Sequence, residues 1–167
     1  MTPFKAYDIR GIYNIDFTKT DVYKIGFFLP GLLKTDKILI GRDVRTSSPE
    51  IFEYLTKGII DAGADVYDLG LATTPYVYWA TAAFNFDASV MITASHNSKE
   101  YNGLKISRTN AFPVGYDSGL NILEEKVMQE IPQPLENKGG LIPFAQHDKY
   151  MEFFKPYIPN ISGLKVS

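Results

Sequence analysis

The chain has 167 residues, 45% of them apolar, with a formal net charge of −2; this excludes disorder, and a chain of this length buries roughly 70% of its extended surface without metal or disulfide. The absence of cysteine excludes thiol catalysis, a zinc–thiolate site and a disulfide framework. Acids and bases are mixed with no basic run, against a nucleic-acid partner, and no apolar stretch nears the ~20 residues of a membrane span, so the expectation is a soluble cytoplasmic protein with neither nucleic acid nor membrane as partner.

Met1 to Arg10 carries charge and no long apolar run, so it is no signal peptide. Phe4 to Tyr13 reads as a short strand and turn, broken at Gly11. Thr18 or Thr20 caps a helix predicted to run to about Leu29, where Pro30-Gly31 stops it. Lys37 to Gly41 is an apolar run of strand length. Ser48-Pro49-Glu50 then supplies an N-cap, a proline for the first helical position and an acid for the first turn. The helix that follows, near Pro49 to Ala62, keeps Ile51, Tyr54, Leu55, Ile59 and Ile60 as its apolar face, and Gly63 ends it.

The pattern repeats. Ala64 to Leu69 is a strand, and Thr74-Pro75 opens a helix carrying Val77, Tyr78, Ala80 and Thr81, with Trp79 as a core residue packed on the sheet. Ala88 to Thr93 is an almost wholly apolar strand, Asn102 to Ser107 alternates as another, and Gly115 to Glu130 holds a helix. Pro132, Pro134 and Gly139-Gly140 mark a loop. His147 to Tyr157 is the last helix, with His147 on the surface or between domains. Gly163 to Ser167 reads as a strand just beginning.

Strands alternating with helices predict an α/β three-layer domain, with a mostly parallel mixed sheet of about four strands covered by helices on both faces. Residues 1–160 form this domain. Residues 161–167 read as the start of a truncated second one, so the chain is expected to be cut from a longer protein.

In such sheets ligands sit outside the carboxyl ends of the strands. Ser95-His96-Asn97-Ser98 falls there, after the apolar strand. Small and polar residues leave backbone amides free to face an anion. A serine on such a turn is a nucleophile or phosphate carrier, although a plain turn has the same composition. Tyr7-Asp8-Ile9-Arg10-Gly11 and Gly41-Arg42-Asp43 bring arginines to the same rim, where guanidinium forks bind phosphate bidentately. The competing reading of each arginine is an ion pair with Asp8 or Asp43. Lys105 lies on the strand returning from the loop, where a solvated lysine is equally ordinary.

Four stretches together resemble the first domain of the α-D-phosphohexomutase family: Phe4 to Gly11 (FKAYDIRG), Gly41 to Asp43 (GRD), Gly70 to Pro75 (GLATTP) and Thr93 to Lys105 (TASHNSKEYNGLK). They keep the family's order and spacing, and the resemblance covers essentially the whole chain. The YNGLK ending resembles the phosphomannomutase/phosphoglucomutase branch more than the phosphoglucosamine mutases. The resemblance implies that Ser95 rests as a phosphoserine. It passes its phosphoryl group to a hexose monophosphate (mannose or glucose) and takes one back from the other end of the resulting hexose 1,6-bisphosphate, which also acts as activator. His96 and Lys105 transfer protons or hold the moving oxygens, Arg10 neutralises charge, and Tyr7, Asn97 and Arg42 bind substrate.

The resemblance also implies Mg2+ on the Ser95 phosphate, its other ligands coming from an Asp-Gly-Asp-Gly-Asp-Arg loop in a second domain that this chain does not contain. The partners implied are a phosphorylated hexose and the remaining domains of the full-length chain, without which turnover is not expected. Ser98 stands where the family usually has proline, and because proline fixes φ the exchange predicts a more mobile loop. A stand-alone phosphosugar-binding module without catalysis is the alternative reading. A serine hydrolase fits poorly, since no Gly-x-Ser-x-Gly elbow surrounds Ser95.

Overall fold

An almost wholly apolar run such as Ala88–Ile92 is at home in a strand covered on both faces. In the computed structural model, which describes residues 2–160 together with Gly163 and Lys165, that run is the centre of the sheet. The strands are β1 (Ile9–Ile12), β2 (Lys37–Arg42), β3 (Asp65–Leu71), β4 (Ala88–Ile92), β5 (Tyr101–Arg108) and β6 (Leu141–Pro143). They lie in the order β1-β5-β4-β2-β3-β6. From β4 to β6 the neighbours are parallel, while β5 runs antiparallel to both β4 and β1. The sheet therefore has six strands rather than about four. The short β6 has no buried residue and ends in proline, so no apolar pattern announces it.

Helices α1 (Lys19–Leu33), α2 (Ser48–Asp61) and α4 (Leu120–Gln129) cover one face, and α3 (Thr74–Ala83) and α5 (His147–Phe154) the other. The alternation along β2 divides its side chains: Ile38 and Ile40 join the core under α1 and α2, Leu39 the core under α3. Trp79 is half-buried against that second core, between Phe84 and Tyr150. His147 is exposed.

Three helix boundaries depart from expectation. α1 passes through Pro30 and ends at Lys34, whose amide donates to the Pro30 carbonyl. A proline so near the C-terminus removes one hydrogen bond, and Leu32 and Leu33 pack on the core beyond it. α2 is capped by Ser47, not Ser48, because the Ser48 hydroxyl donates to Asp43 instead. The helix expected over Gly115 to Glu130 is split by Gly119, at φ 151°, a conformation open to glycine and to almost nothing else. The strand expected within Gly163 to Ser167, and the boundary at 161, lie outside the described residues apart from Gly163 and Lys165.

The end of α2 carries a buried carboxylate. Asp61 accepts hydrogen bonds from Tyr23 of α1 (2.9 Å), from Lys57 and from Lys138 (2.6 Å). Burial alone would raise its pKa, but the bonds from Lys138, Lys57 and Tyr23 outweigh it and bring the group from 3.8 to about 2. A folded-state pKa below the unfolded one contributes stability that is present above the unfolded value and lost as pH falls toward the folded value. Asp61→Asn is therefore expected to cost on the order of 2 kcal/mol at neutral pH. Urea denaturation should also show a shallower loss of stability for the variant between pH 3.8 and about 2.

Candidate active site

The chain leaves β4 through Thr93 and the buried Ala94 and turns sharply at Ser95, whose φ is 55°. For a residue with a Cβ this left-handed conformation costs roughly 1–2 kcal/mol, so the surroundings must hold it. Part of the hold is local: the Ser95 amide donates to Thr93 Oγ1 (3.0 Å) and the Asn97 amide to the Ala94 carbonyl (3.1 Å). The turn leaves Ser95 and His96 exposed at the sheet's rim and Asn97 half-buried.

Beside this turn lies a charged cluster supplied by the antiparallel pair of β1 and β5, in which Arg10 stands opposite Gly103. The Asp8 carboxylate, with a side chain only 9% exposed, accepts from Arg10 and from Lys105 Nζ (3.2 Å). Arg10 Nη1 donates to Asn97 Oδ1 at 3.0 Å, which ties the cluster to the loop. Two cations share one carboxylate, so the cluster keeps a net positive charge next to an exposed serine, and that favours an anion. Tyr78 of α3 adds to this wall: burial first, opposed by the neighbouring Ser107 hydroxyl and aided by the Asp8 charge, holds its phenol above the ordinary value.

Arg10, Asn97 and Lys105 thus meet around Asp8, with Ser95 and His96 on the adjoining turn. The Arg10–Asp8 ion pair and the link to the loop coexist rather than compete. Arg42 and Tyr7 stand elsewhere. Arg42 pairs not with Asp43 but with Asp68 (2.7 Å), and its guanidinium lies 4.1 Å from the Phe52 ring centre. It also lines an open cleft of about 430 Å³ with Val44, Thr73 and His147. Tyr7 is exposed, in a separate recess with Tyr116 and Asp117.

The arginine that reaches the loop is Arg45, which sequence reasoning passed over. Its Nε donates to Asp43 (3.1 Å), and its two terminal nitrogens donate to the carbonyls of Ser95 (3.1 Å), Asn97 (2.8 Å), Ser98 (2.6 Å) and Tyr101 (3.0 Å). The only hint in the sequence was its place two residues after Asp43. Tyr78 was read merely as a helix residue.

Among the described residues no group of three or more His, Asp or Glu is placed to hold a cation. The described donors therefore do not by themselves make a magnesium site. Among the described residues no helix is long and apolar enough to cross a membrane.

The family model for the phosphoglucomutase/phosphomannomutase alpha/beta/alpha domain I matches residues 1–132. A phosphomannomutase of Escherichia coli is 36% identical over 160 residues, covering 95% of this chain and 35% of that protein. One of Klebsiella pneumoniae is 42% identical over 124 residues, covering 74% of this chain and 79% of that protein. The crystal structure of a phosphoglucomutase/phosphomannomutase family protein from Burkholderia thailandensis has a TM-score of 0.80 at 28% identity, covering 91% of this chain and 35% of that one. The chain thus spans 35% of the length of the E. coli relative and of this structural neighbour.

Proposed function

This chain belongs to the phosphoglucomutase/phosphomannomutase family, matching its domain I, and from that premise we propose that it bears the phosphoserine of a hexose-phosphate mutase. In this reading Ser95 carries the phosphoryl group between the 1- and 6-positions of a mannose or glucose monophosphate, with the hexose 1,6-bisphosphate as intermediate. The phosphorus–oxygen bond to Ser95 breaks as one forms to the free sugar hydroxyl. The proton of that hydroxyl leaves to a base, and the serine oxygen gains one. The return step reverses each of these events at the other end of the sugar.

Such transfers depend on positioning and charge more than on covalent chemistry. Arg10 and Lys105 supply positive charge beside the transferring oxygens. Asp8 sets their positions, since both donate to it. His96, exposed next to Ser95, and Lys105 are the groups proposed to give and take the protons. Asn97 orients the turn through Arg10. Tyr7 and Arg42, away from the cluster, are proposed only as contacts to more distant parts of the substrate.

A dianionic phosphoserine attracts a divalent cation, and Mg2+ is proposed to be held jointly by that phosphate and by ligands outside this chain. Turnover is likewise assigned to the complete protein, in the cytoplasm, with this chain contributing the phosphoryl carrier.

The observation that carries the reading is an exposed serine in a left-handed turn, tied through Asn97 and Arg10 to a two-cation cluster. Peptide mass spectrometry of the complete protein tests it. Incubation with glucose 1,6-bisphosphate is expected to place phosphate on Ser95, and excess hexose monophosphate to remove it. Phosphate elsewhere, or a Ser95 that binds phosphosugar nearby yet stays unmodified, would sink the mutase reading, and the second outcome would favour a binding module.

A further inference from the structure

We propose that Arg45 is a positioning residue for phosphoryl transfer, one that shapes the Ser95 loop through its backbone and does not bind phosphate. The kinetic part of this proposal rests on Ser95 being the carrier; the conformational part does not. A guanidinium has five N–H donors and no acceptor. In Arg45 all five are engaged: Nε by Asp43, and the two terminal nitrogens by the carbonyls of Ser95, Asn97, Ser98 and Tyr101. No donor remains for a phosphate oxygen unless one of these bonds is given up. The side chain is only 13% exposed, so the bonds form in a poorly solvated setting where they are strong.

The clamp closes the loop at both ends, since Ser95 opens it and Tyr101 begins β5. It is itself anchored. Asp43 accepts from the Arg45 amide as well as from its Nε, and from the Ser48 hydroxyl (2.7 Å), while the Asp43 amide donates to the Ile92 carbonyl (3.1 Å). The anchor is thereby tied to β4, the strand that delivers Ser95. One side chain thus offsets the strain of a serine at φ 55°. Bonds to main-chain carbonyls do not depend on the residue at 98, so this restraint holds with serine there.

The test compares Arg45→Met and Arg45→Lys with the natural sequence in the complete protein. Lysine keeps the charge but is a point donor that cannot reproduce a planar fork. Both variants are expected to exchange the Asn97 and Tyr101 amides at least ~10-fold faster, because these amides bond within the loop and local opening controls their exchange. Both should also lower the rate of Ser95 phosphorylation by glucose 1,6-bisphosphate about 10²-fold. The half-saturating concentration should move less than about threefold, the split expected when geometry rather than binding is lost.

Unchanged loop exchange in Arg45→Met overturns the clamp. Rescue by lysine, with the loss in methionine appearing as weaker bisphosphate binding, overturns the positioning role and makes Arg45 a phosphate ligand. Should Arg45→Met not fold, Arg45→Lys carries both readouts. If natural Ser95 takes no phosphate at all, the mutase reading fails and the exchange measurement still decides the clamp.

Discussion

Ser95→Ala is expected to lower interconversion of hexose 1- and 6-phosphates about 10⁴-fold or more, measured by a coupled assay on the complete protein. The magnitude follows from the covalent route: without an acceptor oxygen at this point of the turn the phosphoryl group has nowhere to wait while the sugar reverses. Of the other hydroxyls in the loop, that of Thr93 is on a buried residue and accepts from the Ser95 amide, and that of Ser98 belongs to a residue whose carbonyl is bonded by Arg45 and by the Tyr101 amide. The latter sits three positions on and cannot take the place of Ser95 without rebuilding the turn. The fold should scarcely notice the change. Ser95 is exposed, and the hydrogen bonds that hold it involve its amide and its carbonyl, not its hydroxyl. Alanine meets the same left-handed backbone as serine did, so the melting temperature should stay within a few degrees. Full turnover in Ser95→Ala would move the carrier elsewhere, whereas retained phosphosugar binding with no turnover is what the proposed role requires.

The sequence disclosed this site unevenly, and the reasons are physical. β4 was legible because an almost wholly apolar run has few other places to go, and a serine just after it falls on the ligand-bearing edge whatever the rest of the sheet does. α3 was legible from its Thr74-Pro75 opening, although its cap is Thr73. α1 was read four residues short, because a proline in the last turn costs less than one in the middle and Leu32 and Leu33 still find the core. The pairing of β1 with β5 could not be read at all. It depends on which strands meet across nearly a hundred residues, yet it is what gathers Arg10, Asp8 and Lys105.

The two neighbouring arginines show the same limit more sharply. Arg42 and Arg45 both fall where β2 ends, Arg42 as its last residue and Arg45 three positions on, and composition does not separate them. Strand alternation turns Arg42 onto the face of α2, where Phe52 and Asp68 receive it. The loop after β2 turns Arg45 across to the carbonyls of another loop. Carbonyls are present at every residue, so a side chain whose role is to bind them leaves no complementary residue type for a motif to display.

Gly103→Ala is expected to injure both stability and catalysis, and the way it does so tests the link between sheet and site. A Cβ at residue 103 would overlap the carbonyl oxygen of Ile9 and lie 3.1 Å from Arg10 Cα. Both are main-chain atoms, so no rotamer change relieves them; β1 must move away. A glycine in a strand interior commonly marks such a close approach of another backbone. β1 is a four-residue strand at the edge of the sheet, with the N-terminal segment on its outer side, where the Arg10 amide donates to the Pro3 carbonyl (2.8 Å), and it can shift together with that segment without unfolding the rest. We therefore expect a loss of about 1–3 kcal/mol, the usual range for overpacking, read by thermal or urea denaturation.

The shift carries Arg10 with it, since residues 10 and 103 are register partners, and Arg10 is what ties Asn97 of the Ser95 loop to Asp8. A displacement near 1 Å is enough to lower the rate about 10²-fold, so activity should fall even well below the melting temperature, where the protein is fully folded. An Arg10→Lys variant, which leaves the strand in place but cannot reach both Asp8 and Asn97 with one planar fork, should reproduce the kinetic loss with little of the loss in stability. If Gly103→Ala instead melts earlier yet turns over normally per folded molecule, then β1 supports the sheet without setting the geometry at Ser95, and the charge of Arg10 matters more than its position.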